Sequence, residues 1–453
     1  MSSQDSMRTI LPFSGQTNTN VLMDTQDPST YLSNKRVLLS NPGTKLNDLY
    51  YSFANVQVDM AECTFNFGRY TQSLTSTSLG GTSLLTIPNS SFLSDCWLHL
   101  ELPPVVANQT LCRGWGYGLI QSINYLFGSS NVSNISINGQ SLMQIVLAES
   151  ETAEKRDELM DLGGSATIAT TTGNISAMCL IPLPWSNGSS VGKLPFDTTL
   201  LSNPVTITIS FLSASAVYGG TGALPTQFSS AILFTRQGEL LNKELSLRNA
   251  MYRDPQLTYE YPFIHRQSYQ VAIQNAIATP TTPYTGYPAS FNSVNLLSII
   301  NADLVGISFW VIRDDSVIPA AGGHPNPFAA EAIQNVRLSF NGLVYYLTYK
   351  QDLRAANMLS LVGSSKFNTV TLTPVGAGPY TAVIQPRYST YIDFSRIRQS
   401  LFSNRFSNVF RLGNNTLTLD FTVPAVGAHT VYVTYHYNGI NSVYNGESHV
   451  YFD

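Results

Sequence analysis

Apolar and polar residues alternate along most of the chain, and a period of two places successive side chains on opposite faces of a β-strand. The clearest run is Val205–Phe211, VTITISF, in which Val, Ile and Phe alternate with Thr and Ser. The same pattern predicts strands at 52–67, 97–102, 118–127, 132–137, 177–181, 269–273, 306–312, 335–340, 369–373, 416–422 and 430–437. Many short strands separated by Gly, Pro, Asn and Ser are typical of β-sandwiches and barrels.

Two stretches do not alternate. Residues 147–162, LAESETAEKRDELMDL, are strong helix formers followed by Gly163 and Gly164, which predicts a solvated helix inserted between strands. Glu149, Glu151 and Glu154 would then be solvent-exposed helix residues. Residues 1–48 are polar without a sustained period, and we predict an extended N-terminal arm there.

The chain becomes more charged and less alternating between residues 237 and 262, which indicates a domain junction. Strands resume after it and repeat the pattern of the first half. We therefore predict two β-sandwiches in tandem. The expected boundaries are an arm at 1–48, a first sandwich at 49–240, a linker at 241–262 and a second sandwich at 263–453.

Charged residues make up only 11% of the chain, where about 25% is usual. Neutral surfaces suit contacts between copies of one protein, since like charges repel across an interface. A secreted β-protein with a neutral surface explains the composition equally well. The net charge of −4 argues against non-specific nucleic-acid binding by the chain as a whole. An arginine-rich segment is the local exception, suited to subunit contacts or, as the less common alternative, to a polyanion: Arg387, Arg396, Arg398, Arg405 and Arg411.

The cysteines Cys63, Cys96, Cys112 and Cys179 match no zinc or redox spacing, and we predict buried thiols. The N-terminus lacks the apolar core of a signal peptide, and no apolar run approaches the roughly 18 residues of a membrane span. These features predict a reducing cytosolic or nuclear compartment. The sequons at Asn108, Asn131 and Asn134 are then expected to be chance products of a chain rich in Asn, Ser and Thr.

No constellation of residues points to catalysis. His429 and His436 share a candidate strand, but seven residues of strand span roughly 23 Å, too far for one metal. Asp314 and Asp315 are expected in a turn. The chain contains neither a phosphate-binding P-loop nor a G-x-S-x-G motif. The prediction is therefore no catalytic, cofactor-binding or metal-binding residues, no cofactor, and no enzymatic activity.

Several segments, taken together in their order along the chain, resemble one family. They are GWGYGLIQSINYLFGSSNVSNISINGQSL at 114–142, the proline-rich run IPLPWSNGSSVGKLPFDTTLLSNPVTITISF at 181–211, the Asn341-Gly342 hairpin, IDFSRI at 392–397, and YHYNGINSVYNGESHVYF at 435–452. In these segments the chain is similar to the double jelly-roll major capsid proteins of large eukaryotic DNA viruses, virophages and related elements.

The resemblance implies an all-β fold of two tandem eight-stranded jelly-roll sandwiches with short helical insertions. It also implies a pseudo-hexameric homotrimer that tiles an icosahedral virion, made in the host cytoplasm and not secreted. Expected partners are further copies of the chain and minor capsid or penton proteins, with no sequence-specific nucleic acid. Whether a membrane lies beneath the shell is a question the resemblance leaves open. The alternatives are a secreted or surface carbohydrate-binding or adhesion module and, third, a sandwich-fold glycoside hydrolase, for which no carboxylate pair can be named.

Overall fold

The protein was analysed as a computed structural model. It describes residues 65–90, 92–106, 109–126, 135–148, 153–165, 167–168, 175–183, 198–220, 222–240, 259–278, 291–296, 303–314, 327–328, 333–348, 370–372, 380–382, 390–393, 410–411, 417–423, 426–444 and 447–451. The predicted arm at 1–48 lies outside the described residues, as does most of the predicted linker, whose last four residues belong to a strand.

The first half of the chain is built mainly of antiparallel strands. Their bounds are β1 (Phe65–Ser73), β2 (Thr82–Ile87), β3 (Phe92–Val105), β4 (Gln109–Leu111), β5 (Ile120–Leu126), β6 (Ile135–Ile137), β7 (Thr167–Ile168), β8 (Ile175–Pro182), β9 (Val205–Phe211), β10 (Tyr218–Gly220) and β11 (Ser230–Leu240). Two four-stranded sheets have the orders β1-β11-β3-β8 and β2-β9-β5-β6, and β10-β4-β7 form a small third sheet.

The second half repeats this arrangement. Its strands are β12 (Tyr259–Ala276), β13 (Asn292–Leu296), β14 (Asp303–Arg313), β15 (Gln334–Phe340), β16 (Leu343–Thr348), β17 (Val370–Leu372), β18 (Tyr380–Ala382), β19 (Thr390–Asp393), β20 (Phe410–Arg411), β21 (Leu417–Thr422), β22 (Gly427–Tyr444) and β23 (Glu447–Tyr451). The main sheets have the orders β12-β22-β14-β19 and β13-β21-β15-β16, while β20 pairs with β14 and β23 with β22.

Both halves follow one topology. When the eight main strands of each half are counted along the chain, one sheet has the order first-eighth-third-sixth and the other second-seventh-fourth-fifth. This order is that of the jelly roll, in which two Greek keys close two sheets on each other. The predicted fold class, two tandem jelly rolls with short helical insertions, is confirmed.

Alternation along each strand builds the two cores. On β9, Val205, Ile207, Ile209 and Phe211 are buried in the first core, whereas the intervening Thr and Ser are half-buried. A second cluster, which includes Phe309 and the apolar residues of β21, fills the space between the sheets of the second jelly roll. Each main sheet therefore presents its apolar face to its own partner sheet.

Among the described residues of the first half, three short helices lie between strands: α1 (Trp115–Leu119), α2 (Gly139–Ala148) and α3 (Ala153–Leu162), with 3₁₀ turns at Thr198–Leu200 and Ala214–Ala216. The helix predicted over 147–162 is confirmed for α3, but residues 147–148 end a separate helix, α2, which was not predicted. Met160 is also fully buried, so α3 is not solvated on all sides. No helix in the described ranges is long and apolar enough to cross a bilayer.

Candidate functional site: the junction between the two jelly rolls

Where the chain is described, its His, Cys, Asp and Glu side chains do not gather in one place. Within the described residues, no group of three or more His, Cys, Asp or Glu side chains could hold a metal ion. His429 and His436 both lie on β22 but have different partners: His429 Nδ1 is 3.0 Å from the Gly427 carbonyl, and His436 Nε2 is 2.9 Å from Ser308 Oγ.

The three described cysteines are structural. Cys96, Cys112 and Cys179 are buried, as predicted, and Cys63 lies outside the described residues. Burial raises the pKa of the Cys112 and Cys179 thiols far above their ordinary value, which keeps both protonated at neutral pH. Because the thiolate is the nucleophile, these residues are inert packing groups.

Three of the remaining charged candidates lie in the described part of the chain, on separate elements. Arg411 lies on β20, where its backbone pairs with Asp303, and the other four arginines of the basic segment lie outside the described residues. Asp314 accepts a hydrogen bond of 2.8 Å from Thr430 Oγ1, and Asp315 is outside the described part of the chain. Glu154 lies on α3, and Glu149 and Glu151 are not described.

A buried apolar contact joins the two jelly rolls, and we call it the junction. One sheet of the second jelly roll is buried on both faces there. On β14, Phe309 and Val311 belong to the second core, whereas Trp310 and Ile312 belong to the buried cluster of the first jelly roll. Adjacent residues on a strand point to opposite faces, so β14 forms part of both apolar clusters.

Aromatic rings fill the centre of the junction. Trp310 is fully buried, with its ring centroid 6.5 Å from that of Phe328 and 6.4 Å from that of Tyr432, the latter edge-on. Tyr432 is partly buried and packs against the first cluster from β22. Large buried aromatic groups dominate the energetics of such contacts, so the junction is an apolar interface.

The GWGYG segment is the first jelly roll's side of this contact. Gly114 has a φ of +71°, in the left-handed region that glycine favours. A Cβ at Gly114 would lie 3.2 Å from the Phe328 ring, and one at Gly118 would lie 3.0 Å from Pro327 Cγ. The two glycines therefore allow α1 to approach the segment containing Pro327 and Phe328 closely.

The C-terminus of α3 supports α1 from the other side. The Gly114 N–H donates to the Gly164 carbonyl at 2.6 Å, and the Gly116 N–H donates to the Gly163 carbonyl at 2.9 Å. Arg113, just before α1, donates from Nε to Asp161 Oδ1 at 2.6 Å. The predicted helix thus positions the glycine-rich turn that contacts the second jelly roll.

A polar part of the junction lies beside its aromatic centre. The Asn138 N–H, between β6 and α2, donates to Ser268 Oγ on β12 at 2.8 Å. Ser268 pairs with Thr434 on β22, which in turn pairs with Ser308 on β14. These three paired residues form a row of hydroxyl groups across the sheet. The next row on the same face contains Tyr432 and Trp310.

A buried polar cluster lies on the second jelly roll, away from its core. Asp420 on β21 accepts hydrogen bonds from Ser293 Oγ at 2.5 Å and from Arg337 Nε at 2.7 Å. The Arg337 guanidinium lies 4.6 Å from the centroid of the Phe291 ring. The hydrogen bonds satisfy the buried carboxylate, so the cluster is a structural ion pair.

No protein-family model and no curated protein matches the sequence. The similarity to known proteins is therefore one of fold, found among solved structures. Among solved structures, PBCV-1 VP54 fitted into a reconstruction of the virophage Sputnik has a TM-score of 0.58 at 14% identity, covering 86% of this chain and 98% of that one. A quasi-atomic model of the PBCV-1 virus capsid has a TM-score of 0.56 at 12% identity, covering 86% and 98%. The Sputnik virophage structure has a TM-score of 0.53 at 11% identity, covering 85% and 88%.

These similarities extend across both halves of the chain and nearly all of each matched chain. The protein therefore has the double jelly-roll fold of these viral structures, as the resemblance in its sequence implied. Its sequence is divergent from theirs.

Proposed function

We propose that this chain is a major capsid protein whose homotrimers form the pseudo-hexameric capsomers of an icosahedral virion. The observation that carries the proposal is the pair of jelly rolls with identical strand order joined through an apolar junction. Two similar sandwiches fixed side by side give each protomer an internal repeat. Three protomers around a closed ring then present six similar units, which pack on a hexagonal lattice.

The outer surface of the first jelly roll supports close packing of copies. On the outward face of β2, β9 and β5, the side chains between the buried positions are uncharged: Thr82, Leu84, Thr86, Ser122, Asn124, Thr206, Thr208 and Ser210. A face without charge can meet another copy without like-charge repulsion, and hydroxyl groups can hydrogen-bond across the contact.

The fold comparisons support the same role, since one similar structure is that of a virus capsid and another is that of a virophage. We accordingly propose a location in the virion after synthesis in the host cytoplasm, without secretion. The proposed partners are further copies of the chain and minor capsid or penton proteins, with no sequence-specific nucleic acid. The proposal holds with or without a membrane beneath the shell.

We further propose a structural role without catalysis, cofactor or metal. The proposed domains are an arm at 1–48 that binds neighbouring protomers, jelly rolls at 49–240 and 263–453, and a linker at 241–262. Two of these boundaries adjoin described strands: β11 ends at Leu240, and β12 begins at Tyr259, inside the proposed linker.

Negative-stain images of the purified full-length protein test the proposal. We expect roughly hexagonal particles with a central depression, formed from three copies. A stable monomer that binds glycans on an array would contradict the capsid role and favour the adhesion module instead.

A further inference from the structure

The outward face of one sheet of the first jelly roll repeats a feature of the junction. In the second jelly roll, Trp310 on the third strand, β14, pairs with Tyr432 on the eighth, β22, and both pack into the apolar cluster of the first jelly roll. In the first jelly roll, Trp97 on the third strand, β3, pairs with Phe234 on the eighth, β11. The residues next to Trp97 and Phe234 on each strand are buried, so these two rings point outward. Each jelly roll thus presents a Trp beside a second aromatic residue on the same face of the corresponding sheet.

The two aromatic pairs differ in how far they are covered. Trp310 is fully buried, because the first jelly roll covers its sheet. Trp97 and Phe234 are only partly buried in the protomer, as are Ile232 and His99 in the next row on the same face. The centroid of the His99 ring lies 6.0 Å from that of the Phe234 ring. Aromatic and aliphatic side chains that keep part of their exposure in one protomer are typical of the centre of a protein–protein interface.

Apolar side chains continue from these two rows onto β8. Leu180 pairs with His99 and is partly buried, and Met178 is 59% exposed. Ser230 and Glu101, in the same row as Met178, are polar, as is common at the rim of an interface. Exposed apolar patches with a polar rim mark sites of protein association. We call the outward residues of these strands the docking face: Trp97, His99, Met178, Leu180, Ile232 and Phe234.

A second exposed apolar surface lies on the second jelly roll. Within the junction, β6, the fifth main strand of the first jelly roll, contacts β12. The fifth main strand of the second jelly roll is β16, at one end of its four-stranded sheet. β16 begins with Leu343 and Val344, which are 76% and 52% exposed. A second jelly roll that met the docking face as the first jelly roll meets β12 and β14 would bring β16 next to β1.

We propose that the docking face binds the second jelly roll of a neighbouring copy, so that the contact between protomers repeats the junction within one protomer. The inference rests on the proposed capsomer and names the surface that holds it together. Such a contact joins two different patches, and heterologous contacts of this kind close into rings. Because each jelly roll then meets the next in the same way, first and second jelly rolls alternate around the ring. Trp97 and Phe234 lie at the centre of the contact, where large aromatic side chains contribute most to binding.

Light scattering of full-length variants tests this surface. The wild type should have a mass of about 150 kDa, three times 49.6 kDa, and Phe234→Glu should have the mass of one chain. The reason is that a carboxylate in the middle of the docking face would be buried without a partner in the assembled ring. Phe234→Tyr keeps the aromatic ring and should remain a trimer. Leu84→Glu is the matched control: Leu84 is 54% exposed on the outward face of the other sheet, which the ring contact does not use, so this variant should also remain a trimer.

Hydroxyl-radical labelling of the wild-type protein, read by mass spectrometry, decides the matter if Phe234→Glu does not fold. Trp97 is partly exposed in one protomer, whereas Trp115 and Trp310 are fully buried and serve as internal references. In the wild-type trimer, Trp97 should be labelled as little as these two residues. In Phe234→Glu, Trp97 should be labelled more.

The two measurements separate this inference from the capsomer itself. A wild-type trimer that Phe234→Glu leaves intact, or in which Trp97 is labelled well above Trp115 and Trp310, would overturn the docking face and leave the capsomer standing. Equal dissociation of Phe234→Glu and Leu84→Glu would overturn it as well. A wild-type protein with the mass of one chain at all concentrations would overturn the capsomer and the docking face together.

Discussion

Replacing Trp310 by Ala should uncouple the two jelly rolls, and replacing its neighbour Phe309 should not. Both side chains are fully buried on β14, but they belong to different clusters. Truncation of a buried Trp or Phe to Ala usually costs about 3–5 kcal/mol. The two variants should therefore lose similar stability at different places.

For Trp310→Ala, the loss falls on the junction, where Phe328 and Tyr432 would lose their contacts with the indole. We expect calorimetry to resolve two unfolding transitions, and limited proteolysis to cut within residues 241–262 and release two fragments of similar size. For Phe309→Ala, the cavity lies between the sheets of the second jelly roll. We expect a lower Tm in this variant, with the two jelly rolls still coupled.

Each variant is the control for the other, because the two residues are adjacent, similar in size and on opposite faces of β14. Identical calorimetric and proteolytic profiles for the two variants would refute a junction that couples the jelly rolls through Trp310. A wild-type protein that already releases both fragments as readily as Trp310→Ala would do the same.

Three further predictions concern the cores and the buried polar groups. Ile209→Asp places an unpaired carboxylate in the first core at a cost of several kcal/mol and should abolish soluble expression, whereas Thr208→Asp on the outer face should be tolerated; equal damage in both would contradict the strand register. Asp420→Asn weakens the ion pair with Arg337 and should cost about 1–3 kcal/mol in urea unfolding; an unchanged midpoint would contradict that contribution. Burial raises the pKa of Tyr432 from 10 to about 12, so the stability contributed by its protonated hydroxyl is present below pH 10 and is lost as the pH rises towards 12. Thermal melts over that pH range measure the loss, which should be smaller in Tyr432→Phe than in the wild type.

Period-two patterning predicted the strands well where one face is buried and the other is not. The bounds of β9 agree with the prediction residue for residue. β2 was missed because its hydropathy contradicts its burial: Ser83 is buried and Leu84 is exposed. Ser83 Oγ donates to the Ser76 carbonyl at 2.7 Å, which satisfies the hydroxyl at a buried position.

The junction could have been inferred in part from the sequence. The nearly continuous apolar run on β14, ISFWVI, differs from the alternation of β9 and is typical of a sheet covered on both faces. The partners of that face could not be predicted, since Trp310 packs on Phe328, which lies beside Gly114 and Gly118 from the other half of the chain. α2 was missed because it lies in a region otherwise rich in strands, although its apolar residues follow a helical spacing.

The environment of His436 lay beyond sequence reasoning altogether. Its spacing from His429 excluded a shared metal but could not identify Ser308 or Arg266 as neighbours. Those neighbours depend on the register of three strands from distant parts of the chain.

The mass of the purified full-length protein in solution tests the central claim most directly. Light scattering coupled to size exclusion should give about 150 kDa, three times the 49.6 kDa of one chain, across a range of protein concentrations. A mass of one chain at all concentrations would contradict the capsomer and with it the proposed capsid role.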